Sequence, residues 1–293
     1  MPTGLLVGLV TVDVVQRVDR APGPDEKVRA TRADVAAGGP ATGAAVTFAR
    51  LGGDALLLTT VGTGPLASLV HEDLRRHHVR VHDAAPASGG PSVSAVTVVR
   101  STGQRSVVSR NAEDATVVPP SDLAALVERA RVVLLDGHHP LLALATARAA
   151  HDRGVPVVLD AGSWKPVLED LLRLTRMAVC SADFRTPDGR PGGKDLLDAG
   201  PSFLAVTGGP RPVRWWTGGQ HGTVPVPSTV ARDTLGAGDV LHGALARGVA
   251  DGLNEVAALH RAVAVASLRV AHVGPRSWLT DPGLDRIARG SGP

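Results

Sequence analysis

The sequence predicts an α/β protein: an αβα sandwich with a mainly parallel central sheet, plus a small β-sheet that projects from it. Three observations carry that expectation. Short Val- and Leu-rich runs alternate with amphipathic Ala/Leu/Arg-rich runs through most of the 293 residues, which is the pattern of βαβ units. Two polar, extended segments, about 13–35 and 92–110, break the alternation and bring no covering helix. The chain closes on helices. All of 1–293 reads as one domain, with the two inserted segments forming a lid.

In chain order, the apolar run 5–10 is the first strand, followed by the extended first lid segment. A diglycine opens a helix at 41–51, and the strand 55–61 and helix 66–77 repeat the alternation. The segment 92–109 is two strands joined at Ser101-Thr-Gly-Gln104, a hairpin turn. Helices at 121–130 and 141–153 alternate with strands at 132–136 and 155–160, and further strands are expected at 177–180 and 203–207, with a short helix at 194–199 between them. Branched apolar runs of this length suit a sheet buried on both faces. Helices at 236–251 and 254–271 are separated by Gly252, with Asn254 as N-cap, and the tail 289–293 is expected to fray.

Composition narrows the function classes. Cys180 is the only cysteine, so neither a disulfide nor a Cys-based zinc site forms within the chain. The net charge is +3, but basic residues are scattered among acidic ones and aromatics make up only 2%. Neither a basic stripe nor a stacking platform for nucleic acid results. No apolar stretch is long enough to span a membrane, and no leader is evident, so a cytoplasmic location is expected.

The chemistry concentrates in Asp233-Thr-Leu-Gly-Ala-Gly-Asp239, which runs directly into a helix. Glycines at 236 and 238 allow a tight turn, so the amides of Gly236, Ala237 and Gly238 can converge on one anion at the positive end of the helix. Asp239 would stand beside that anion, where a carboxylate can take the proton of an attacking hydroxyl. Taken as an isolated turn and cap, the same residues would do no chemistry. A second stretch, Ala36-Ala-Gly-Gly-Pro-Ala-Thr-Gly43, gives exposed amides and room for a polyhydroxy ligand. Asp13 is expected to end the first strand at a carboxyl edge, where α/β sheets bind ligands.

These stretches resemble the two signatures of the ribokinase/PfkB family of sugar kinases, in the expected order along nearly the whole chain. The resemblance implies a ribokinase-like fold and transfer of a phosphoryl group from ATP to a sugar hydroxyl. It makes Asp239 the base and Gly236, Ala237 and Gly238 the anion hole, and it places Asp13, Gly38 and Gly39 under the sugar. Gly43 stands where the family often has an Asn that touches the sugar. Thr207 and Gly209 match the family's nucleotide turn, although Pro212 replaces its last glycine. Lys165 is a candidate for an ATP phosphate, with a solvated loop lysine as the alternative. The family's Asn-Glu pair for metal organisation is missing; Cys180-Ser-Ala-Asp-Phe184 stands there, leaving Asp183 as the candidate carboxylate. Ser181-x-Asp183 resembles the ketohexokinase branch, which favours a ketohexose such as fructose over ribose or a nucleoside. Arg105 and Arg110 belong to the lid and either meet an anionic group on the sugar or are surface charge. Mg²⁺ is implied with ATP, and K⁺ at the backbone of Asp233 and Leu235. The uncovered lid face implies a homodimer. A noncatalytic sugar or nucleotide binder on the same fold is the reading of another class.

Overall fold

The computed structural model describes residues 1–112 and 116–290, so the last part of the tail expected to fray, 291–293, lies outside the described residues. The chain begins with β1 (Thr3–Val7), β2 (Thr11–Val18), β3 (Arg32–Gly38), α1 (Pro40–Arg50), β4 (Asp54–Thr59), α2 (Pro65–Arg76) and β5 (Val79–Asp83). Next come β6 (Ser92–Val99), β7 (Arg105–Ser109), α3 (Leu123–Glu128), β8 (Val132–Leu135), α4 (Pro140–Asp152), β9 (Val157–Ala161), α5 (Leu168–Arg173) and β10 (Met177–Cys180). The remainder is β11 (Phe203–Gly208), β12 (Arg211–Thr217), β13 (His221–Val224), α6 (Ala237–Ala250), α7 (Glu255–Val270) and α8 (Gly283–Ala288).

The central sheet runs β13-β12-β11-β10-β9-β8-β1-β4-β5, parallel from β11 to β5, with β12 and β13 antiparallel at one edge. Its strands are apolar on both faces because both are covered. Leu6 faces the core built with α1, α6 and α7, whereas Leu5 and Val7 face the core built with α3, α4 and α5. That alternation is the period of two of a β-strand. Asn254 caps α7, accepting the Ala257 amide at 2.8 Å.

A second sheet, β3-β2-β6-β7, stands over the carboxyl end of β1. One of its cross-strand rows, Val35–Val14–Ala95–Val108, is exposed except at Val14, which packs against the core built with α1, α6 and α7; another, Ala36–Asp13–Ser94–Ser109, lies on the opposite face. The register differs from the sequence expectation in one consequential way. The apolar run 5–10 is not one strand, because β1 stops at Val7 and the chain turns at Gly8. A β-carbon there would lie 2.1 Å from the Asp136 carboxyl, so only glycine fits. Asp13 therefore sits inside the first strand of the small sheet rather than at the end of β1. The segment 194–199 is a 3₁₀ helix instead of an α-helix, and β5, β12, β13, α5 and α8 were not anticipated. Among the described residues no helix is long and apolar enough to cross a membrane.

Candidate active site

The turn ahead of α6 has the geometry that its glycines allow. Gly236 adopts φ 72°, a left-handed conformation, and serves as the N-cap of α6, which costs glycine little and other residues more. The Ala237 amide donates to the Thr234 carbonyl at 3.3 Å. Among the described residues no backbone acceptor takes the Gly236 or Gly238 amide. Of the three donors expected for an anion, two are therefore free and the third is engaged in a long bond. Asp239 follows in the first turn of α6.

Asp239 and Asp13 line the same cavity of about 210 Å³, with Thr11, Ser94, Arg105 and Ser109 from the small sheet, Gly39 between β3 and α1, and His138 from the loop after β8. Burial lifts the Asp239 carboxyl from its ordinary 3.8 to about 7, with the Asp160, Asp13 and Asp136 carboxylates adding to the rise and Arg105 opposing it. Near neutral pH its proton is thus in balance. Asp13 is also raised by burial, against the lowering effect of the Thr11 and Ser94 hydroxyls and of the Arg276 charge. The Thr11 hydroxyl donates to Asp13 at 2.6 Å.

Glycines make the space for these carboxylates. A β-carbon on Gly38 would fall 2.1 Å from the Asp13 carboxyl, and one on Gly43 would fall 2.7 Å from Cβ of Asp239. Gly39 lines the cavity, but Gly38 and Gly43 act behind it, through the two aspartates. Arg105 lines the cavity and donates to the Thr234 hydroxyl at 3.2 Å, whereas Arg110 is exposed and is not part of the lining.

Three supporting groups escaped the sequence reading. Asp136, at the end of β8, accepts the amides of Leu9 (2.9 Å), Ala41 (3.2 Å) and His138 (2.9 Å). One carboxylate thereby fixes the crossing from β1 to β2, the start of α1 and the loop after β8. Burial disfavours its charge, but the neighbouring His138, Lys165 and these amides hold it below the ordinary range. His242 on α6 places Nδ1 2.8 Å from the Gly238 carbonyl and 3.3 Å from the buried Asp160 carboxylate, tying α6 to the end of β9. Arg276 donates to the Ala37 carbonyl at 2.7 Å and to Asp73 at 2.8 Å, steadying the strand that delivers Gly38.

The residues expected around a nucleotide lie at the same end of the sheet but outside the cavity. Thr207 ends β11 beside β10, donating to the Cys180 carbonyl at 3.3 Å, and Gly209 turns the chain with φ 62°. Lys165 stands in the loop after β9, close enough to influence Asp136 and His138. Asp183 is exposed; its amide donates to the Ser181 hydroxyl, which itself donates to the Gly162 carbonyl. The Ser181-x-Asp183 pattern is thus a local turn. The Asp233 and Leu235 carbonyls, expected to face a monovalent cation, instead accept the guanidinium of Arg269, at 3.4 and 2.7 Å. Both carbonyls thus already have a cationic partner from the protein itself.

Comparison with known proteins agrees with this architecture. The pfkB family carbohydrate kinase profile matches residues 2–281. Ribokinase of Bacillus subtilis is 25% identical, covering 94% of this chain and 94% of its own length. A putative ribokinase from Agrobacterium tumefaciens superposes with a TM-score of 0.85 at 26% identity, covering 99% of this chain and 98% of its own. Arabidopsis thaliana ribokinase complexed with ribose and ATP shares the fold, with a TM-score of 0.78 at 22% identity over 98% of each chain. With the family profile spanning nearly all of its length, the chain belongs to the pfkB family of carbohydrate kinases, and its fold is ribokinase-like.

Proposed function

We propose that this kinase transfers the γ-phosphoryl group of ATP to a primary hydroxyl of a monosaccharide, with Asp239 as general base. The observation that carries the reading is a carboxyl raised to about 7, in the first turn of a glycine-capped helix, sharing a small cavity with a second carboxylate. A base poised near the working pH is the efficient choice for taking a hydroxyl proton. Asp13 accepts two sugar hydroxyls, Gly38 and Gly39 let the ring approach, and the amides of Gly236 and Gly238, with that of Ala237, meet the developing negative charge. The nucleotide lies against Thr207, Gly209 and Lys165. Mg²⁺ arrives on the ATP phosphates and is held mainly through water.

A pentose such as ribose now comes ahead of a ketohexose. The ketohexose expectation rested on Ser181 and Asp183, which form a turn outside the cavity, and the similar proteins named above are ribokinases. At about 210 Å³ the cavity is below the ~300–1,000 Å³ usual for drug-sized ligands, which suits one sugar ring better than a nucleoside. The outer row of the small sheet is apolar, with Val35 54% and Val108 76% exposed, and we assign it to a homodimer formed lid to lid. A coupled ADP-release assay over pentoses, ketohexoses and nucleosides tests the reaction. Turnover on a sugar that disappears in Asp239→Asn supports it, and sugar binding without ADP release from the wild type would establish the noncatalytic binder instead.

A further inference from the structure

We infer that Arg269 is a built-in cation, taking the place of the monovalent ion that the family resemblance implies, and that this chain works without potassium. The inference rests on the kinase reading above for its effect on turnover, but not for the site itself. Arg269 belongs to α7 and is 1% exposed. Its Nη1 donates to the carbonyls of Asp233 (3.4 Å) and His272 (2.9 Å), and its Nη2 to that of Leu235 (2.7 Å). The Asp233 and Leu235 carbonyls belong to the loop that leads into Gly236, and that of His272 to the turn after α7. A buried guanidinium persists where its donors find acceptors and a counter-charge. The counter-charge is the Asp233 carboxylate, 1% exposed and 3.7 Å from Nη2, which also accepts the Leu235 and Gly274 amides.

The cluster already holds a second positive charge. Arg17 stands 3.8 Å from the other Asp233 oxygen and donates to the Arg232 carbonyl at 2.6 Å. One carboxylate therefore already faces two arginines. A potassium ion added here would compete for carbonyls that are taken and would be repelled by both guanidinium groups. Arg269 does through a covalent side chain what a bound ion would do: it sets the backbone at 233–235, and it leaves a fixed positive charge behind the anion-binding turn. It does not line the cavity that holds Asp239 and acts through the backbone at 233–235, so it is a positioning residue.

The test compares wild type and Arg269→Gly in K⁺, Na⁺ and tetramethylammonium buffers at equal ionic strength, reading both turnover and melting temperature. Wild-type values should be the same in all three. Arg269→Gly should lose kcat by ~10², the scale of a small misplacement of a reacting group, and recover part of it with added K⁺ or guanidinium, with a matching rise in melting temperature. Arg269→Lys should keep more activity than the glycine variant. Strong K⁺ activation or K⁺ stabilisation of the wild type would overturn the inference, as would a folded Arg269→Gly that neither ion rescues. If the glycine variant does not fold, the wild-type comparison decides. If no sugar is phosphorylated in any buffer, the kinase reading fails while the melting measurements still judge the cation site.

Discussion

Replacing Asp239 by Asn should abolish most turnover and at the same time stabilise the fold, by an amount that depends on pH. The carboxyl is lifted from 3.8 to about 7 by burial and by the neighbouring aspartates, so the folded chain holds its proton more tightly than the unfolded chain does. Below about pH 4 both states are protonated and the group contributes nothing. Between about pH 4 and 7 the unfolded chain ionises while the folded one does not, and stability falls as pH rises. Each pH unit of raised affinity is worth about 1.4 kcal/mol, which makes about 4 kcal/mol the ceiling on the cost of ionising Asp239 above pH 7. The cavity admits solvent, which reduces that figure, so a gain of about 2–4 kcal/mol for Asp239→Asn at pH 8 is expected. Urea unfolding at pH 4 and pH 8 measures it. The loss in kcat should be ~10²–10⁴, the usual contribution of a general base. A stability gain equal at both pH values would refute the electrostatic account, and full turnover would refute the base assignment.

In the wild type, kcat/KM should fall about tenfold per unit below pH 7 as Asp239 takes up its proton; a flat profile from pH 5 to 8 contradicts this. Gly38→Ala should push the Asp13 carboxyl aside, since its new β-carbon would lie 2.1 Å away. The sugar KM should rise, with a loss in kcat/KM of ~10², and an unchanged KM in a folded variant would remove Asp13 from the sugar site. Val108→Asp places a charge on the exposed apolar row of the small sheet and should give a monomer by sedimentation, with the melting temperature little changed. An unaltered mass would locate any dimer contact elsewhere.

What was legible in the sequence was local. The stretch from Asp233 to Asp239 is a turn, a cap and a helix start within seven residues, so its residue types alone specify the geometry. The buried strands also announced themselves through unbroken apolar runs. Edge strands did not: β12 holds Arg211, Pro212 and Arg214 and is mostly exposed or half-buried, so its pattern resembles a loop. Asp13 falls on a different strand from the one its sequence predicts because the turn at Gly8 depends on Asp136, more than a hundred residues away. The groups that tune the site were hidden for the same reason. Asp136 meets Leu9 and Ala41, His242 meets Asp160, and Arg269 meets Asp233, each across a long stretch of chain. In the sequence Arg269 is simply a basic residue near a helix end, and only tertiary packing buries it.

Gly43 shows how one such contact bears on substrate choice. Helices α1 and α6 touch so closely that a β-carbon on Gly243 would lie 2.3 Å from the Ala44 carbonyl and 2.8 Å from Thr47. The helix that begins after Gly39 and the helix that carries Asp239 are therefore packed directly on each other. At the site end of this pair Gly43 faces Asp239, and any larger side chain must displace it or open the helices. An Asn at 43, which the resemblance leads one to expect, would have to shift Asp239 from this position. Gly43 thus suits the close approach of α1 to Asp239. The polar groups left around the cavity come mainly from the small sheet and its edge: Thr11, Ser94, Arg105, Ser109 and Asn111. On this reading the lid selects the sugar, while the α1–α6 pair supplies the chemistry common to any primary hydroxyl.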